Sequence, residues 1–521
     1  MKLSKKNLAM SIGIGAVALA FSWSPLALAD EGNQRGQWLV GDFHNHTFLT
    51  DGSNTQTDVL DNAFRFGLDW IGNSEHGGAF NRTPQGLPWP TDTVFLGTPP
   101  SGKMWRWQSL WQYSYPLISE ARTAHRDKLI VQGYEWNVPS HEHASVGIVG
   151  AAEEGGLAIA RHEYLFDGSD GGSTSDSHLG VSGKILINNH DKAVAGAKWL
   201  QDNYPFTSYF LINHPSRALK YTIADIRDFN NAAPTVAFGF EGIPGHQKES
   251  NRGGYGNVSE KARTYGGADY MIAKVGGLWD ALLGEGRHFF TFVNSDFHST
   301  KGDFWPGEYA KSHAFVLDKN RDRNISLDEL VDGLRTGNSF SVHGDLISNL
   351  QFTAHSRDAE APMGGVLHVD KGGKVQLKIR FRTPERNNNG DTVAVDHIDL
   401  IAGNVTGKIP KYLDDGVTLN PEYTKDTNES SRVIATFSRN DWESEKGGYS
   451  TVVYHLKNVK SDMYFRLRGS NLPAGTANET DAEGNPLIDT MMGSNTAEKA
   501  YADLWFYSNP IFVKVARCIR K

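Results

Sequence analysis

The chain has 521 residues, which exceeds what one ordinary hydrophobic core holds and predicts at least two domains. Hydrophobic residues make up 39% and charged residues 21%, a balance that is typical of folded globular proteins and excludes wholesale disorder. The 52 Lys and Arg residues stand against 60 Asp and Glu residues, a net charge of −8, so no nucleic-acid surface is expected. A small phosphorylated substrate stays possible, because it needs only a local positive site.

The first 29 residues have the pattern of a secretory signal peptide. Three lysines among the first six residues precede an apolar stretch, and Ala-Leu-Ala at 27–29 forms a small-residue cleavage site. The apolar stretch is shorter than the roughly 20 residues that a membrane span needs, which favours cleavage over anchoring. We therefore expect a periplasmic or secreted protein with no membrane attachment after cleavage. Cys518 is the sole cysteine, which excludes an intramolecular disulfide.

Six apolar stretches each run into a side chain of the metal-ligand type. They are residues 38–46, 68–76, 129–136, 185–190, 209–217 and 289–298. Short apolar runs rich in β-branched and aromatic residues predict buried strands. A buried imidazole or carboxylate must be paired or bound to a metal, so six strands ending in such groups predict a common site.

A helix is predicted directly after the first strand. Thr55 or Thr57 can cap it, and Gly67 can end it. Its apolar residues recur at helical spacing: Val59, Leu60, Ala63 and Phe64. The next strand follows at once, and strand–helix–strand is the unit of a parallel sheet or barrel. Six strands that converge on one site favour a closed β/α barrel over an open doubly wound sheet, with ligands at the carboxyl ends of the strands.

Two insertions interrupt the alternation of strands and helices. Residues 80–116 are rich in Pro, Gly and aromatic residues, and they form either an aromatic wall over the site or a small satellite core. Residues 162–183 have the composition of a flexible loop.

The character of the chain changes at about residue 346. Strand-like segments separated by Gly, Asn and Asp turns follow at 375–381, 395–401, 431–437, 451–456, 463–467 and 511–515. Without helices between them, these segments predict a β-sandwich. The expected organisation is thus a signal peptide at 1–29, an α/β barrel at 30–345 and a C-terminal β-sandwich at 346–521.

Two pairs of potential metal ligands are one residue apart, His44 with His46 and Asp296 with His298. On an extended chain such side chains point the same way and can share one metal. The full set of predicted ligands is His44, His46, Asp51, His76, Glu135, His143, His214, Asp296 and His298. Imidazole and carboxylate without thiolate suit Zn, Mn or Fe, and nine ligands imply two or three divalent ions. Each residue alone has an ordinary structural explanation, but together they predict a metal site.

These residues also carry a resemblance to the polymerase and histidinol phosphatase (PHP) family of metal-dependent phosphoesterases. The family's motifs are matched by Asp42-Phe43-His44-Asn45-His46 with Asp51-Gly52, Ser74-Glu75-His76, Gly133-Tyr134-Glu135, Asn213-His214-Pro215, Ser295-Asp296-Phe297-His298 and Leu334-Arg335-Thr336-Gly337. The match covers roughly residues 38–345, which would make the chain an exported member with a C-terminal β-sandwich. The resemblance implies a distorted seven-stranded β/α (TIM-like) barrel in which the nine residues bind two or three metals.

The chain departs from the family pattern at one position and leaves another open. Glu75 stands where the family usually has Asp. Either His141 or His143 can be the sixth-motif ligand, and we choose His143 because an apolar run at 146–148 follows it.

The predicted function is hydrolysis of small phosphate mono- or diesters. A metal-bridging hydroxide would be the nucleophile, since metals lower the pKa of bound water toward about 7. Arg217 is either a phosphate clamp or part of a surface salt bridge. His190 and His246 are candidates for an acid or for substrate contacts. The alternatives are a hydrolase of an amide or lactone bond with the same metals and a non-catalytic binding protein, and the complete ligand set argues against the latter.

A separate calcium site is also predicted, in competition with a plain polar loop. Oxygen side chains occupy positions 1, 3, 5, 9 and 12 of an EF-hand-type loop, among them Asp318, Asn320, Asp322 and Glu329. Arg323 stands where such a loop needs glycine, which favours a polar loop that caps the helix predicted at 327–335. The oligomeric state is not predicted.

Overall fold

The structure is a computed structural model that describes residues 35–150, 154–172, 175–176, 178–256, 259–489 and 496–516. The predicted signal peptide and Cys518 lie outside the described residues. Within these ranges no helix combines the length and the hydropathy that a membrane crossing requires.

Strands and helices alternate through the first two thirds of the chain. In chain order they are β1 Gly36–Asp42, α1 Gln56–Arg65, β2 Trp70–Gly72, β3 Ala79–Phe80, β4 Met104–Trp105, α2 Arg106–Ser109, α3 Tyr115–Ala124, β5 Leu129–Val131, β6 Gly133–Asn137, β7 His143–Ile148, α4 Gly155–Phe166, β8 Ser175–Asp176, β9 Val181–Ser182, α5 His190–Asn203, β10 Ser208–Ile212, α6 Ile223–Ala232, β11 Gly239–Ile243, β12 Thr264–Tyr265, β13 Ala268–Asp269, α7 Tyr270–Ala273, α8 Leu278–Gly284, β14 Phe290–Val293, β15 Ala310–Leu317, α9 Leu327–Thr336 and β16 Ser339–His343. A π-helical turn, Leu110–Ser114, joins α2 to α3.

Helix α1 forms for the reasons that its sequence indicates. The Thr55 side chain accepts a hydrogen bond from the Asp58 N–H, and Asp58 accepts one from the Thr55 N–H in return, which completes a capping box. The face with Val59 and Leu60 is buried, and Gly67 then takes a φ of +86° that side chains disfavour. The predicted helix is confirmed, with Thr55 as its cap.

Two sheets bring the strand ends together. In the first, β1 is parallel to β2 and β2 is parallel to β5, while β15 and β16 continue the sheet on the other side of β1. In the second, the order is β14-β11-β10-β7-β6, with β7 antiparallel to both of its neighbours. Isolated bridges join Asn45 to Phe297 and His76 to Glu135. The segment after β1 therefore lies beside the segment after β14, and the segment after β2 lies beside β6.

The C-terminal part of the chain is mostly antiparallel sheet. Its elements are β17 Asn349–His355, β18 Glu360–Pro362, β19 Val366–Val369, β20 Gly373–Arg382, β21 His397–Asn404, β22 Arg432–Ser438, β23 Glu443–Glu445, β24 Tyr449–Val459, β25 Met463–Ser470, α10 Thr496–Ala502, β26 Trp505–Ser508 and β27 Ile511–Val515. One five-stranded sheet has the order β18-β17-β20-β24-β23. The whole is a mixed α/β structure with several sheets.

The first sheet runs across the predicted domain boundary. Strand β16 pairs with β26 near the end of the chain, and β25, β27, β19, β21 and β22 extend the same sheet. Strands from both sides of the boundary predicted at residue 345 therefore belong to one sheet. The division into two domains stays a prediction. All six predicted C-terminal strands are present, whereas α10 was not predicted.

Local patterns gave wrong predictions in two places. Residues 185–190 form no strand, because Leu186 and Ile187 are exposed and the Asn189 side chain caps α5, which begins at His190. The predicted loop at 162–183 begins inside α4, and the Asp167 carboxylate is buried against the Asn137 N–H. In the other insertion Trp105 and Trp107 are buried in the main hydrophobic cluster, so these side chains pack as core.

Candidate metal centre

Side-chain to backbone hydrogen bonds fix the segments that carry the first and the last predicted ligands. The buried Asp42 carboxylate at the end of β1 accepts hydrogen bonds from the His44 N–H at 2.8 Å and from the Ser295 N–H at 2.6 Å. Burial raises the pKa of Asp42 to about 7, against the effect of these hydrogen bonds. The Asn45 N–H donates to the Ser74 hydroxyl at 2.7 Å. The ends of β1, β2 and β14 are therefore tied to one another.

Glu135 on β6 lies at the middle of a histidine cluster. Its two carboxylate oxygens lie within 3.5 Å of nitrogens of five imidazoles, those of His44, His46, His76, His143 and His214. The shortest of these distances, 2.7 Å, joins Glu135 Oε2 to His76 Nδ1. Glu135 is 1% exposed, whereas the side chains of His143 and Asp51 are 24% and 49% exposed, so the cluster extends from the interior to the surface.

Asp296 and Asp51 connect the remaining ligands to this cluster. Asp296 Oδ1 lies 2.9 Å from His44 Nε2 and 3.2 Å from His46 Nε2. Asp51 lies 3.4 Å from His298 Nε2 and also faces His76. All nine predicted ligands thus belong to one connected group.

The backbone is strained where several of these side chains enter the cluster. The φ angles are +28° at His214, +42° at Asp296 and +55° at His246. A non-glycine residue in this region costs about 1–3 kcal/mol, and such strain is concentrated at functional sites. The rest of the fold therefore holds these residues in place against their local preference.

The cluster leaves buried polar atoms without partners. Among the described residues, His46 Nδ1 and His214 Nδ1 have no hydrogen-bond partner. A buried polar atom left in this way costs about 1–3 kcal/mol, which a bound cation would offset. Several sets of ligand atoms lie within 4.8 Å of one another, including His46 with Asp51, His76 and His298. The donor set of nitrogen and oxygen atoms fits divalent metal ions.

The histidines of the cluster have pKa shifts in two directions. Burial lowers the pKa of His46 to about 3, and the charges of His298 and His76 add to the effect. Burial and the Arg217 charge lower the pKa of His214 to about 4. Burial alone would raise the pKa of Glu135, but the neighbouring histidine charges hold it well below its usual range. Burial also acts to lower the pKa of His44 and His76, but the nearby carboxylate charges outweigh it, and the pKa of His76 rises to about 10. Because metals bind the neutral imidazole, a cation at these two residues would displace a proton.

Glu241 was missed from the sequence. It is buried on β11, where Oε1 accepts a hydrogen bond from His44 Nδ1 at 3.0 Å and Oε2 accepts one from the His214 N–H at 2.8 Å. The first contact aims His44 Nε2 at the cluster, as carboxylates behind metal-ligating histidines do. The available sequence signal was a single carboxylate inside the apolar stretch 237–243.

Glu75, the departure from the family pattern, turns away from the cluster. Its carboxylate accepts hydrogen bonds from the Thr47 N–H at 3.0 Å and from the hydroxyls of Thr47 and Thr50. These contacts hold the loop that leads to Asp51. Glu75 therefore positions a predicted ligand through the backbone.

The three predicted catalytic residues have different surroundings. Arg217 Nη2 lies 2.8 Å from His214 Nε2 and its Nη1 lies 3.7 Å from Asp296, so it borders the cluster. His246 Nε2 lies 2.9 Å from Asp296 Oδ2, and His246 therefore belongs to the cluster. His190 pairs with Asp225 and Asp228, neither of which is one of the nine predicted ligands. His141 lies beside His190 and also faces Asp225, whereas His143 faces Glu135.

Two carboxylates of the predicted calcium loop accept hydrogen bonds from backbone N–H groups of the same loop. Glu329 accepts hydrogen bonds from the N–H groups of Lys319 and Ser326, and it completes a capping box at the start of α9. Asp318 accepts from the N–H groups of Arg321 and Arg323. These contacts are those of a polar loop that caps a helix, and calcium binding stays a prediction.

Comparison with solved structures finds a distant likeness. A two-domain protein from Bacteroides vulgatus ATCC 8482 that contains a predicted PHP-like metal-dependent phosphoesterase is similar to 87% of this chain over 94% of its own length, with 12% identity and a TM-score of 0.34. A likeness at this level carries no argument about fold or function. No protein-family model and no curated protein matches the chain. The geometry of the cluster must therefore carry the functional interpretation.

Proposed function

We propose that the chain is a metal-dependent phosphoesterase that hydrolyses small phosphate mono- or diesters. The observation that carries the proposal is the convergence of nine imidazole and carboxylate side chains around Glu135 and Asp296, with an arginine at their border. Nine ligands correspond to two or three divalent ions. We place the protein in the periplasm or outside the cell, as the N-terminal sequence predicts.

A distorted seven-stranded barrel would explain how the ligands meet. The ring would consist of β1, β2, β5 continued by β6, β7, β10, β11 and β14, each paired with the next. The Asn45–Phe297 bridge supports closure between the ends of β14 and β1. The remaining strands beyond residue 345 would form the second domain.

The metals would supply the attacking group of the reaction, since bound divalent ions lower the pKa of water toward about 7 and hold phosphoryl oxygens. Arg217 would bind the phosphate group, because a guanidinium pairs bidentately with phosphoryl oxygens. Its side chain is 23% exposed, so a substrate can reach it. Lys220 lies near the same edge, where it contacts Glu142 at 2.9 Å.

His246 is the candidate for the general acid. Its Nδ1 lies 2.7 Å from Asp303 Oδ1 and its Nε2 faces Asp296. Burial acts to lower the pKa of His246, but the charges of Asp296 and Asp303 outweigh it and raise the pKa well above its usual range. A protonated imidazole at the border of the cluster can give its proton to the leaving oxygen.

The test combines metal analysis with hydrolysis assays on the purified full chain. Mono- and bis-(p-nitrophenyl) phosphate report phosphoester hydrolysis, and p-nitrophenyl acetate with a lactone reports carbonyl hydrolysis. We expect the wild type to contain metal and cleave a phosphate ester, and His44→Ala and Asp296→Ala to lose metal and activity together. His125→Ala is the matched control, because this imidazole faces a single carboxylate, Asp61, at 3.6 Å. Retained activity in both cluster variants, or hydrolysis of carbonyl esters alone, would overturn the proposal.

A further inference from the structure

We propose that His141, His190 and Asp225 form a second, mononuclear zinc site that is separate from the cluster around Glu135. His141 lies in the turn before β7, His190 is the first residue of α5, and Asp225 lies in the first turn of α6. The three residues thus come from three elements that the sequence separates widely.

The distances match the edges of a zinc coordination sphere. His141 Nε2 lies 3.4 Å from His190 Nδ1, His190 Nδ1 lies 3.4 Å from Asp225 Oδ1, and His141 Nε2 lies 3.6 Å from Asp225 Oδ1. In tetrahedral zinc with ligands at about 2.0–2.1 Å, neighbouring ligand atoms are about 3.3–3.4 Å apart. The three atoms therefore form a nearly equilateral face of the required size.

Hydrogen bonds on the outer side of both rings turn lone pairs toward the centre of this face. His141 Nδ1 lies 2.7 Å from the carbonyl oxygen of Pro139, which only accepts, so Nδ1 carries the hydrogen. His190 Nε2 lies 3.1 Å from Asp228 Oδ2, a carboxylate behind a histidine as in many zinc sites. When both rings are neutral, the inward His141 Nε2 and His190 Nδ1 oppose each other as two acceptors, an arrangement that a cation between them relieves.

The third ligand has one oxygen free for the same purpose. Asp225 Oδ2 accepts hydrogen bonds from the N–H and the hydroxyl of Thr222 as part of the helix cap. Its Oδ1 is the atom that faces the two imidazoles. Helix capping therefore holds the Asp225 carboxylate in position without using the oxygen that would bind zinc.

The site is held in place yet remains open on one side. The His141 ring stacks on Tyr221 with a centroid distance of 5.1 Å, and its side chain is 4% exposed. The side chains of Asp225 and His190 are 21% and 28% exposed. Three protein ligands and solvent access leave a fourth position for water.

The residues behind the proposed zinc ligands contact the C-terminal part of the chain. Asp228, which holds His190, also contacts Lys411 Nζ at 2.8 Å and accepts a hydrogen bond from the Tyr423 hydroxyl at 2.8 Å. A zinc ion here would join the turn before β7, α5 and α6 to that segment. Because this turn leads directly into His143, the ion would also steady one ligand of the main cluster.

The test counts zinc ions per chain after chelation, dialysis against zinc ions and elemental analysis. We expect His141→Ala and His190→Ala each to lose one ion relative to wild type, and His125→Ala to lose none. Asp296→Ala should lose ions of the main cluster and keep this one, which separates the failure of this inference from the failure of the proposed function. Asp228→Asn should weaken zinc binding at this site by about 10–100-fold.

Unchanged zinc counts in both His141→Ala and His190→Ala would overturn the inference. If either variant fails to fold, as judged by circular dichroism, the wild type decides. Anomalous diffraction from zinc-saturated crystals should then show a peak between His141, His190 and Asp225, and a map without that peak would equally overturn the site.

Discussion

Buried carboxylates occur in two different settings in this protein. Asp280 on α8 accepts two hydrogen bonds from the Arg466 guanidinium, both at 2.8 Å, and another from the Tyr464 hydroxyl at 2.9 Å. Glu135 and Asp296 instead meet mainly imidazoles, two of which, those of His46 and His214, keep an unpartnered Nδ1 among the described residues. Arginine is a permanent donor, whereas imidazole donates or accepts according to its protonation. Permanent donors therefore satisfy the Asp280 carboxylate, although Arg466 Nη1 has no partner among the described residues. The imidazole cluster instead offers nitrogens that can bind a cation.

The most severe test of this contrast replaces the carboxylate at the middle of the cluster. Glu135→Gln keeps the shape of the side chain but removes its negative charge, so we expect both metal content and phosphate release to fall below detection. Elemental analysis and a p-nitrophenyl phosphate assay measure the two effects. Full metal content in the variant would show that Glu135 is only a structural partner of the histidines.

For Asp280→Asn we expect the protein to lose stability but to keep its metal content. Removal of one partner leaves the buried Arg466 charge uncompensated, which should lower the free energy of unfolding by about 3–5 kcal/mol. Denaturant unfolding measures this loss, while the number of metal ions per folded chain should stay that of the wild type. A loss of metal here would erase the distinction between the two settings.

Much of the cluster could be predicted because its members lie in recognisable local patterns. His44 and His46 follow a short apolar strand, and capping residues mark the start of α1, the helix that comes next. Glu241 could not be found in this way, since its role depends on β11 pairing with β10 and β14. His190 was assigned wrongly to a strand end, because two apolar residues before it look buried in the sequence and are exposed in the fold.

Replacement of Arg217, at the border of the cluster, should have an intermediate effect on activity. Arg217→Lys keeps the positive charge but loses the planar pair of donors, so we expect kcat/KM for a phosphate ester to fall by about 10–100-fold, the value of one charged hydrogen bond. Metal content should not change. Steady-state kinetics and metal analysis of the same preparation check both points, and unchanged kcat/KM would remove Arg217 from the proposed phosphate site.

The smallest expected effect is the contribution of one buried histidine, His313, to the pH dependence of stability. Burial and the Lys311 charge lower the pKa of His313 to about 3, and the ring stacks on Phe340. Between pH 6.5 and this value the unfolded chain binds a proton that the folded chain does not. Stability is therefore fully present above the unfolded pKa and is lost as pH falls, by about 1.4 kcal/mol per pH unit for this residue.

His313→Phe should make the free energy of unfolding less sensitive to pH between about 6 and 4 by the same slope. Denaturant unfolding of wild type and variant over this range, in the presence of a chelator, checks the prediction. An unchanged slope would mean that His313 titrates normally in the folded chain, in contrast to its buried position.

The central claim is that the side chains around Glu135 and Asp296 hold divalent cations. Crystals of the full chain grown with zinc, with diffraction data collected on both sides of the zinc absorption edge, test it directly. The account predicts two or three anomalous peaks within the group that contains His46, Glu135 and His298. A map from zinc-saturated crystals without a peak there would contradict it.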